Sequence, residues 1–428
     1  MDINQQAEEL NNIIKQDNPV IYSLLSEKGK AIFFPKQGIV AQAIEAKGKK
    51  INATVGTAIE DDGTPMRLNS IAKNILLDSK ETFPYAPSYG KPELRQAWLE
   101  QIKKKNPSLT AKTSLPIVTN ALTHGLSMVG YLFISPEDKI ILPDKFWGNY
   151  KLVFENAYNG ILDTFNTFKD NQLDLGSFKE KLTEKGKKII LLNFPNNPTG
   201  YTPTGSETEE IINIIKESAE QGNQTLVICD DAYFGLVYEE NIYKESIFSK
   251  LASLHENVLA IKVDGATKED YVWGFRVGFI TYASKGITEQ TCAALEDKTT
   301  GAIRGNISNT SHLSQSLVLK ALASETYGTE KQEKYALLES RYEKVKQTLK
   351  NNKYSEFFTP LPYNSGYFMC IQLKNLDAEK IRKTLLEKYD TGVIAIKNLL
   401  RIAFSATPER DIPELFENIY NACKEQVL

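Results

Sequence analysis

Only four cysteines and three histidines occur among the 428 residues. Cys229, Cys292, Cys370 and Cys423 lie far apart, with no CxxC pair or metal-type spacing. That excludes a disulfide framework and a thiolate metal site, and leaves reduced thiols in a cytoplasm as the expectation. His124, His255 and His312 stand singly, which argues against a histidine-bound metal. No apolar run is long enough to cross a bilayer, and the polar stretch 1–15 lacks the apolar core of a secretion signal. Net charge is −3 with acids and bases intermixed, so the strong basic field that attracts nucleic acid or an anionic membrane is missing too. Internal repeats and low-complexity linkers are also absent. An ordinary globular composition remains, on a chain too long for one core, and two structural units are expected.

From about residue 115 to 282, short apolar runs alternate with amphipathic stretches. The runs are Leu115–Thr119, Lys139–Leu142, Lys188–Asn193, Leu226–Cys229, Val258–Val263 and Arg276–Tyr282. Such runs between helical segments predict an α/β unit whose largely parallel sheet is covered on both faces. Past Asn309 the texture changes. Helices are expected over Ser311–Ala323, Glu330–Leu349 and Ala378–Tyr389, with strands at Gly366–Leu373 and Leu400–Phe404, which describes a smaller α+β unit. The charged helix Glu330–Leu349 reads as a solvated face. The segment before Pro65 has no sheet pattern of its own and is expected to pack against that tail.

Ligands of parallel sheets sit at the carboxyl ends of the strands. The residues that follow the runs there are chemically mixed: Asp230 and Tyr233, Thr267 and Lys268, Asn197, Thr123, Trp147, with Arg276 eight residues beyond the lysine. An acid, an amine, a guanidinium, an amide, a hydroxyl and a flat aromatic ring would meet at one rim. This mixture suits catalysis through a phosphorylated pyridine aldehyde. A carboxylate keeps the pyridine nitrogen protonated so that the ring accepts the electrons of a carbanion. A lysine of depressed pKa forms the imine and moves the proton. Arginine and a helix N-terminus suit the phosphate, and an aromatic face stacks on the ring. Each feature alone has a plain structural explanation, such as a helix cap for Asp230, a turn for Asn196–Gly200 or core for Trp147. Their joint order and placement do not.

The chain therefore resembles the fold-type I pyridoxal-phosphate-dependent aminotransferases of class I/II, nearest the aspartate and aromatic branch, over about residues 51–408. The resemblance implies a large cofactor-binding domain over 67–335, with a mostly parallel seven-stranded sheet between helices. A smaller α+β domain would be built from both chain ends, 1–66 and 336–428. It implies pyridoxal 5'-phosphate held by Lys268 as a Schiff base, with Asp230 on the pyridine nitrogen. Tyr233 and Asn197 would meet the phenolic oxygen, and Trp147 would cover the ring face. Ala121, Leu122, Thr123, Thr267 and Arg276 would bind the phosphate, joined by Tyr85 from a second subunit. Arg401 would hold the substrate α-carboxylate, and Gly56 would line the substrate site. Arg304 would reach into the partner's site toward a side-chain carboxylate. The implied activity is transfer of an α-amino group, from a dicarboxylic or aromatic donor, to a 2-oxo acid by a homodimer. Elimination or decarboxylation on the same fold is the alternative.

Four features depart from the family pattern. Gly265 stands where serine is frequent, and Ala121 and Leu122 where Gly or Ser is usual. The pair Glu269–Asp270 follows the lysine and would oppose a second anion. The segment between Val393 and Arg401 is short.

Overall fold

A computed structural model describes residues 3–34 and 38–427 of the chain. Seven strands form the main sheet: β1 (Ile117–Asn120), β2 (Lys139–Pro143), β3 (Ile161–Phe165), β4 (Lys187–Asn193), β5 (Gln224–Asp230), β6 (Val258–Asp264) and β7 (Val277–Ala283). Their spatial order is β1-β7-β6-β5-β4-β2-β3. Only β7 runs against its neighbours, antiparallel to both β1 and β6, and the other pairings are parallel. Register aligns Asn193 with Asp230 and Val277 with Asn120. The carboxyl ends of the parallel strands and the start of β7 thus share one rim, and Arg276 is there because β7 runs backward.

The run predicted from Arg276 begins one residue later, since Arg276 has φ 56° and cannot join the strand. Strand β3 has no counterpart in the sequence reading. It is the sheet edge, half-exposed and interrupted by Asp163, so no continuous apolar run marks it.

Both faces of the sheet are covered. Trp98, Ile215 and Phe248 are buried on one side, and Leu126, Phe154 and Tyr282 on the other. The helix Gly205–Glu220 illustrates how the sequence builds these layers. Thr204 and Glu207 form a reciprocal capping box at its start, a device contributing about 1 kcal/mol. Ile211, Ile212, Ile214 and Ile215 are buried along it, each worth about 1.5–3 kcal/mol.

A second sheet follows, with strands β8 (Phe358–Pro360), β9 (Phe368–Leu373), β10 (Ile394–Ile396) and β11 (Leu399–Ala403) in the order β8-β9-β11-β10, all antiparallel. Arg401 sits on β11 opposite both Cys370 and Ile394. The N-terminal residues Ile51–Asn52 pair in parallel with Thr391–Gly392. The long helix Tyr327–Leu349 differs from its expected solvated form: Leu338, Arg341, Tyr342 and Val345 are buried. Arg341 donates to Ser405 O (2.7 Å), four residues beyond Arg401.

Candidate active site

Between the rim of the main sheet and strands β9 and β11 lies a cleft of about 690 Å³. Asp230, the last residue of β5, forms part of its floor and is buried. Tyr150 Oη donates to Asp230 Oδ2 (2.6 Å), and the Ala232 N–H donates to Oδ1 (3.2 Å). Burial raises the carboxyl from 3.8 to about 6, against the Tyr150 hydrogen bond that lowers it. A carboxylate kept in a costly site is ready to be ionised by a cation bound beside it. Tyr233 is buried nearby, its phenol raised by desolvation. Asn197 is tied by its own N–H to Asn193 Oδ1 (2.9 Å).

Lys268 lies on the single helical turn Ala266–Glu269 that follows β6. Its Nζ donates to Gly56 O (2.8 Å) and stands 5.1 Å from the Tyr233 ring centre. Burial is the main cause that lowers its pKa from 10.5 to about 7, helped by the charges of Arg401 and Arg276. Near neutral pH this amine is substantially unprotonated, the form that attacks a carbonyl. Tyr367 Oη donates to Lys268 O (2.8 Å) and fixes the turn from the smaller sheet.

An anion cradle adjoins the lysine. The helix Ala121–Phe133 starts at the cleft with no side chain capping its first amides, and those free N–H groups attract negative charge. Ala121 (φ 61°) and Arg276 (φ 56°) both adopt the left-handed region, at about 1–2 kcal/mol each, and both line the cleft with Leu122, Thr123 and Thr267. Arg276 is exposed, and among the described residues its guanidinium donates only to Trp273 O (3.3 Å). Strand β7 can abut this turn because residue 278 is glycine. A Cβ there would lie 2.7 Å from the Ala121 carbonyl carbon. Gly265, the departure noted above, has the same cause: a Cβ would sit 2.5 Å from Val277 O.

The Glu269–Asp270 pair does not oppose an anion in the cleft. Glu269 is held by Lys105 (2.7 Å) and Lys331 (2.9 Å), and Asp270 by Lys331 (2.9 Å) and Tyr327 Oη (2.7 Å). Neither acid is among the residues that line the cleft, and nor are Lys105, Lys331 and Tyr327.

Arg401 is buried, donating to Thr54 O (2.9 Å) and Asn197 Oδ1 (3.3 Å), with its plane 4.3 Å from the Phe368 ring centre. Its Nε has no hydrogen-bond partner among the described residues. A buried guanidinium left partly unsatisfied at a cleft is suited to an incoming carboxylate. Gly56 lines the same space, where a Cβ would touch Lys268 Nζ at 3.5 Å. Trp147 lines it as well, packed edge-on against Tyr150 (5.5 Å, 84°).

Two expected site residues lie elsewhere on their own chain. Tyr85 is 89% exposed. Arg304, on the helix Glu289–Asn306, is exposed and donates to Ser308 Oγ (3.0 Å). Tyr150, Thr54 and Phe368 were missed in the sequence. Tyr150 had one usable signal, its position three residues after Trp147. Asp231 is structural, ion-paired with buried Lys262 and bonded by Ser246 Oγ (2.6 Å).

Residues 49–419 match the family model described as aminotransferase class I and II. The chain belongs to this family. Within the class I and II aminotransferases, it is 29% identical over 247 residues to an aspartate aminotransferase of Bacillus sp. (strain YM-2), covering 56% of this chain and 59% of that one. It is 26% identical over 274 residues to a probable N-acetyl-LL-diaminopimelate aminotransferase of Bacillus subtilis, covering 64% and 63%. The matched part thus spans about three-fifths of the length of these curated relatives. Among solved structures, an aminotransferase from Anaerococcus prevotii superposes with a TM-score of 0.83 at 23% identity, covering 94% of this chain and 99% of that one. The kynurenine aminotransferase of Pyrococcus horikoshii, solved with PMP, gives 0.79 at 16% identity, covering 95% and 98%. These likenesses establish the type I fold of the pyridoxal-phosphate enzymes. The residues fit that cofactor: a capless helix N-terminus and an Arg276 with no carboxylate partner among the described residues for its phosphate, Asp230 for its ring nitrogen, and a lysine near pKa 7 for its aldehyde.

Proposed function

We propose that the protein moves the α-amino group of an amino acid to a 2-oxo acid in a ping-pong cycle, with pyridoxal 5'-phosphate as cofactor. One observation carries the reading: a costly buried carboxylate, a lysine brought to about 7 and a partly unsatisfied buried guanidinium converge in one cleft. When bound, the cofactor supplies an electron sink for charge on the substrate Cα. Asp230 would keep a proton on the cofactor's ring nitrogen, and Tyr150 holds Asp230 in place. Lys268 accepts the Cα proton at Nζ and gives it back later, as its pKa near 7 allows in both directions. Arg401 binds the α-carboxylate and orients the Cα–H bond toward that amine. Asn197 and Tyr233 would hold the phenolic oxygen of the bound cofactor, and Trp147 would cover its ring and exclude water. The amides of 121–123, Thr267 and Arg276 would hold the phosphate.

The names of the matched relatives support amino transfer over elimination or decarboxylation. A homodimer is part of the proposal, with Tyr85 and Arg304 acting in the partner's site. It is supported by the exposure of Leu76 (97%), Tyr85 (89%) and Phe83 (85%), apolar surface that asks for cover. Both chain ends are taken to form the smaller domain, supported by the pairing of Ile51–Asn52 with Thr391–Gly392. Four buried free thiols suit the reducing cytoplasm.

Steady-state kinetics with a donor and an oxo acid test the activity. Parallel double-reciprocal lines without ammonia or carbon dioxide release are expected. Sustained release of either gas without an oxo acid would instead establish the lyase alternative.

A further inference from the structure

Directly beneath the rim, on the far face of the main sheet, lies a buried charge cluster that no step above uses. Side chains alternate along a strand. On β5, Val227 and Cys229 join the core of Trp98, so Asp230 points with Ile228 to the opposite face. On β6, Ala260 shares the Trp98 core and Ile261 and Val263 the other, which puts Lys262 and Asp264 on the Trp98 face. Lys262 stands beside Cys229 in register and forms an ion pair with Asp231. It lies 3.5 Å from Asp264 Oδ2 and 4.3 Å from the Phe234 ring centre. Asp231 also accepts from Ser246 Oγ (2.6 Å), and Asp264 Oδ1 from Trp98 Nε1 (3.0 Å). None of these three charged side chains is more than 4% exposed.

A lysine in the middle of a buried strand is a poor way to gain stability, since well-packed apolar residues often do as well. Its position suggests another use. Asp230 and Asp231 are consecutive acids, one on each face of the sheet. Asp230 is lifted first by burial, against the Tyr150 hydrogen bond, and then by the charge of Asp231. Lys262 is the only cation within ion-pair distance of Asp231 among the described residues. Burial works against its charge, but Asp231 and Asp264 outweigh burial and keep it protonated. The remaining charges nearby are Lys105 and Glu269, which pair with each other (2.7 Å). Two acids thus share one amine next to Asp230, and of the two it is Asp231 that adjoins Asp230 in the chain.

We propose that Lys262 is a positioning residue for the reaction: by cancelling the charge of Asp231 from behind the sheet, it lets Asp230 keep its own negative charge in the cleft. Lys262 touches neither cofactor nor substrate and acts through Asp231 alone. One proton is shared between Asp230 and the cofactor's ring nitrogen. With Asp231 neutralised, that proton lies on the nitrogen, where it serves the electron sink. With Asp231 bare, two like charges stand on adjacent residues, and the proton moves to the Asp230 carboxyl. This inference rests on the pyridoxal-phosphate reading of the cleft.

The test compares two double variants of the holoenzyme, each left with one buried carboxylate and no amine. Lys262→Gln with Asp231→Asn keeps Asp264, and Lys262→Gln with Asp264→Asn keeps Asp231. Pyridoxal phosphate isotope-labelled at its ring nitrogen is bound to each, and nitrogen NMR reads whether that atom is protonated. Wild type and the variant keeping Asp264 should show a pyridinium signal and similar kcat. In the variant keeping Asp231 the signal should move toward neutral pyridine, and kcat should fall about tenfold to a hundredfold with KM little changed. If a double variant does not fold, the single changes give the same contrast: Asp231→Asn should keep the pyridinium signal and Lys262→Gln should lose it. The same nitrogen signal in both members of a pair, or an equal loss of kcat in both, would overturn the assignment. If wild type binds no pyridoxal phosphate, the function proposed above fails and this assignment falls with it. Binding and transamination with an unmoved nitrogen signal in every variant sinks this assignment alone.

Discussion

Replacing Asp230 by Asn should stabilise the cofactor-free protein while it destroys the activity. In the folded chain burial lifts the carboxyl from 3.8 to about 6. An acid whose folded pKa lies above its unfolded one penalises the folded state wherever it is ionised. The penalty is absent below 3.8, grows as pH rises toward 6, and is complete above 6. At 1.36 kcal/mol per pH unit it amounts to about 3 kcal/mol. Asn has the same shape and no charge, so Tyr150 Oη and the Ala232 N–H keep a polar neighbour. Urea unfolding of the apoprotein at pH 7.5 should therefore show Asp230→Asn more stable by up to about 3 kcal/mol, with the gap closing toward pH 4. With pyridoxal phosphate bound the order should reverse, because the wild-type carboxylate then has a cation to meet, and turnover should fall by at least about a thousandfold. An apoprotein that gains nothing at pH 7.5, or a gap that is the same at pH 7.5 and 4, would refute a carboxylate strained for function.

Other consequences follow from the same geometry. Lys268 is lowered to about 7, so capture of pyridoxal phosphate by the apoprotein should accelerate as pH rises through 7 and level off by about 8.5; stopped-flow absorbance that keeps rising to pH 10 would indicate an ordinary lysine. Arg401→Gln removes two donors to the α-carboxylate and should raise KM for every amino and oxo acid by about a hundredfold or more, with kcat/KM as the readout. The same change should cost little stability, because Arg401 already has an unsatisfied Nε. Gly278→Ala would push a methyl to 2.7 Å from the Ala121 carbonyl carbon, costing about 1–3 kcal/mol in unfolding free energy and weakening cofactor binding measured by equilibrium titration.

That Asp230 and Lys268 meet at one rim was legible because chemistry-bearing residues at the ends of buried strands have few places to go, whereas Arg401 lies mid-strand in the smaller sheet and stood out as a charge in an apolar run. Once the runs of Val, Ile and Leu are read as a parallel sheet, its rim follows, and so does the company at that rim. Direction was not legible. Glu269 and Asp270 are adjacent to Lys268 in sequence, yet they point to Lys105 and Lys331, which are far away along the chain and invisible to local pattern. Tyr150 has the composition of core, and only the fold brings its hydroxyl to Asp230. Ile39, Ala43 and Lys47 also line the cleft but carry no strand-end signal at all. Their place depends on Gln42 reaching Ala395, 353 residues on. Strand β3 escaped notice for the opposite reason, as an edge needs no continuous apolar run.

The central claim is tested most directly by a half-reaction. Purified holoenzyme is mixed with L-glutamate and no oxo acid, and the visible absorption of bound pyridoxal phosphate is followed. Loss of that absorption to the pyridoxamine form, with one 2-oxoglutarate per active site and then no more until an oxo acid is added, is the predicted result. Catalytic product formation without an acceptor, or no conversion with any amino acid, would contradict the account.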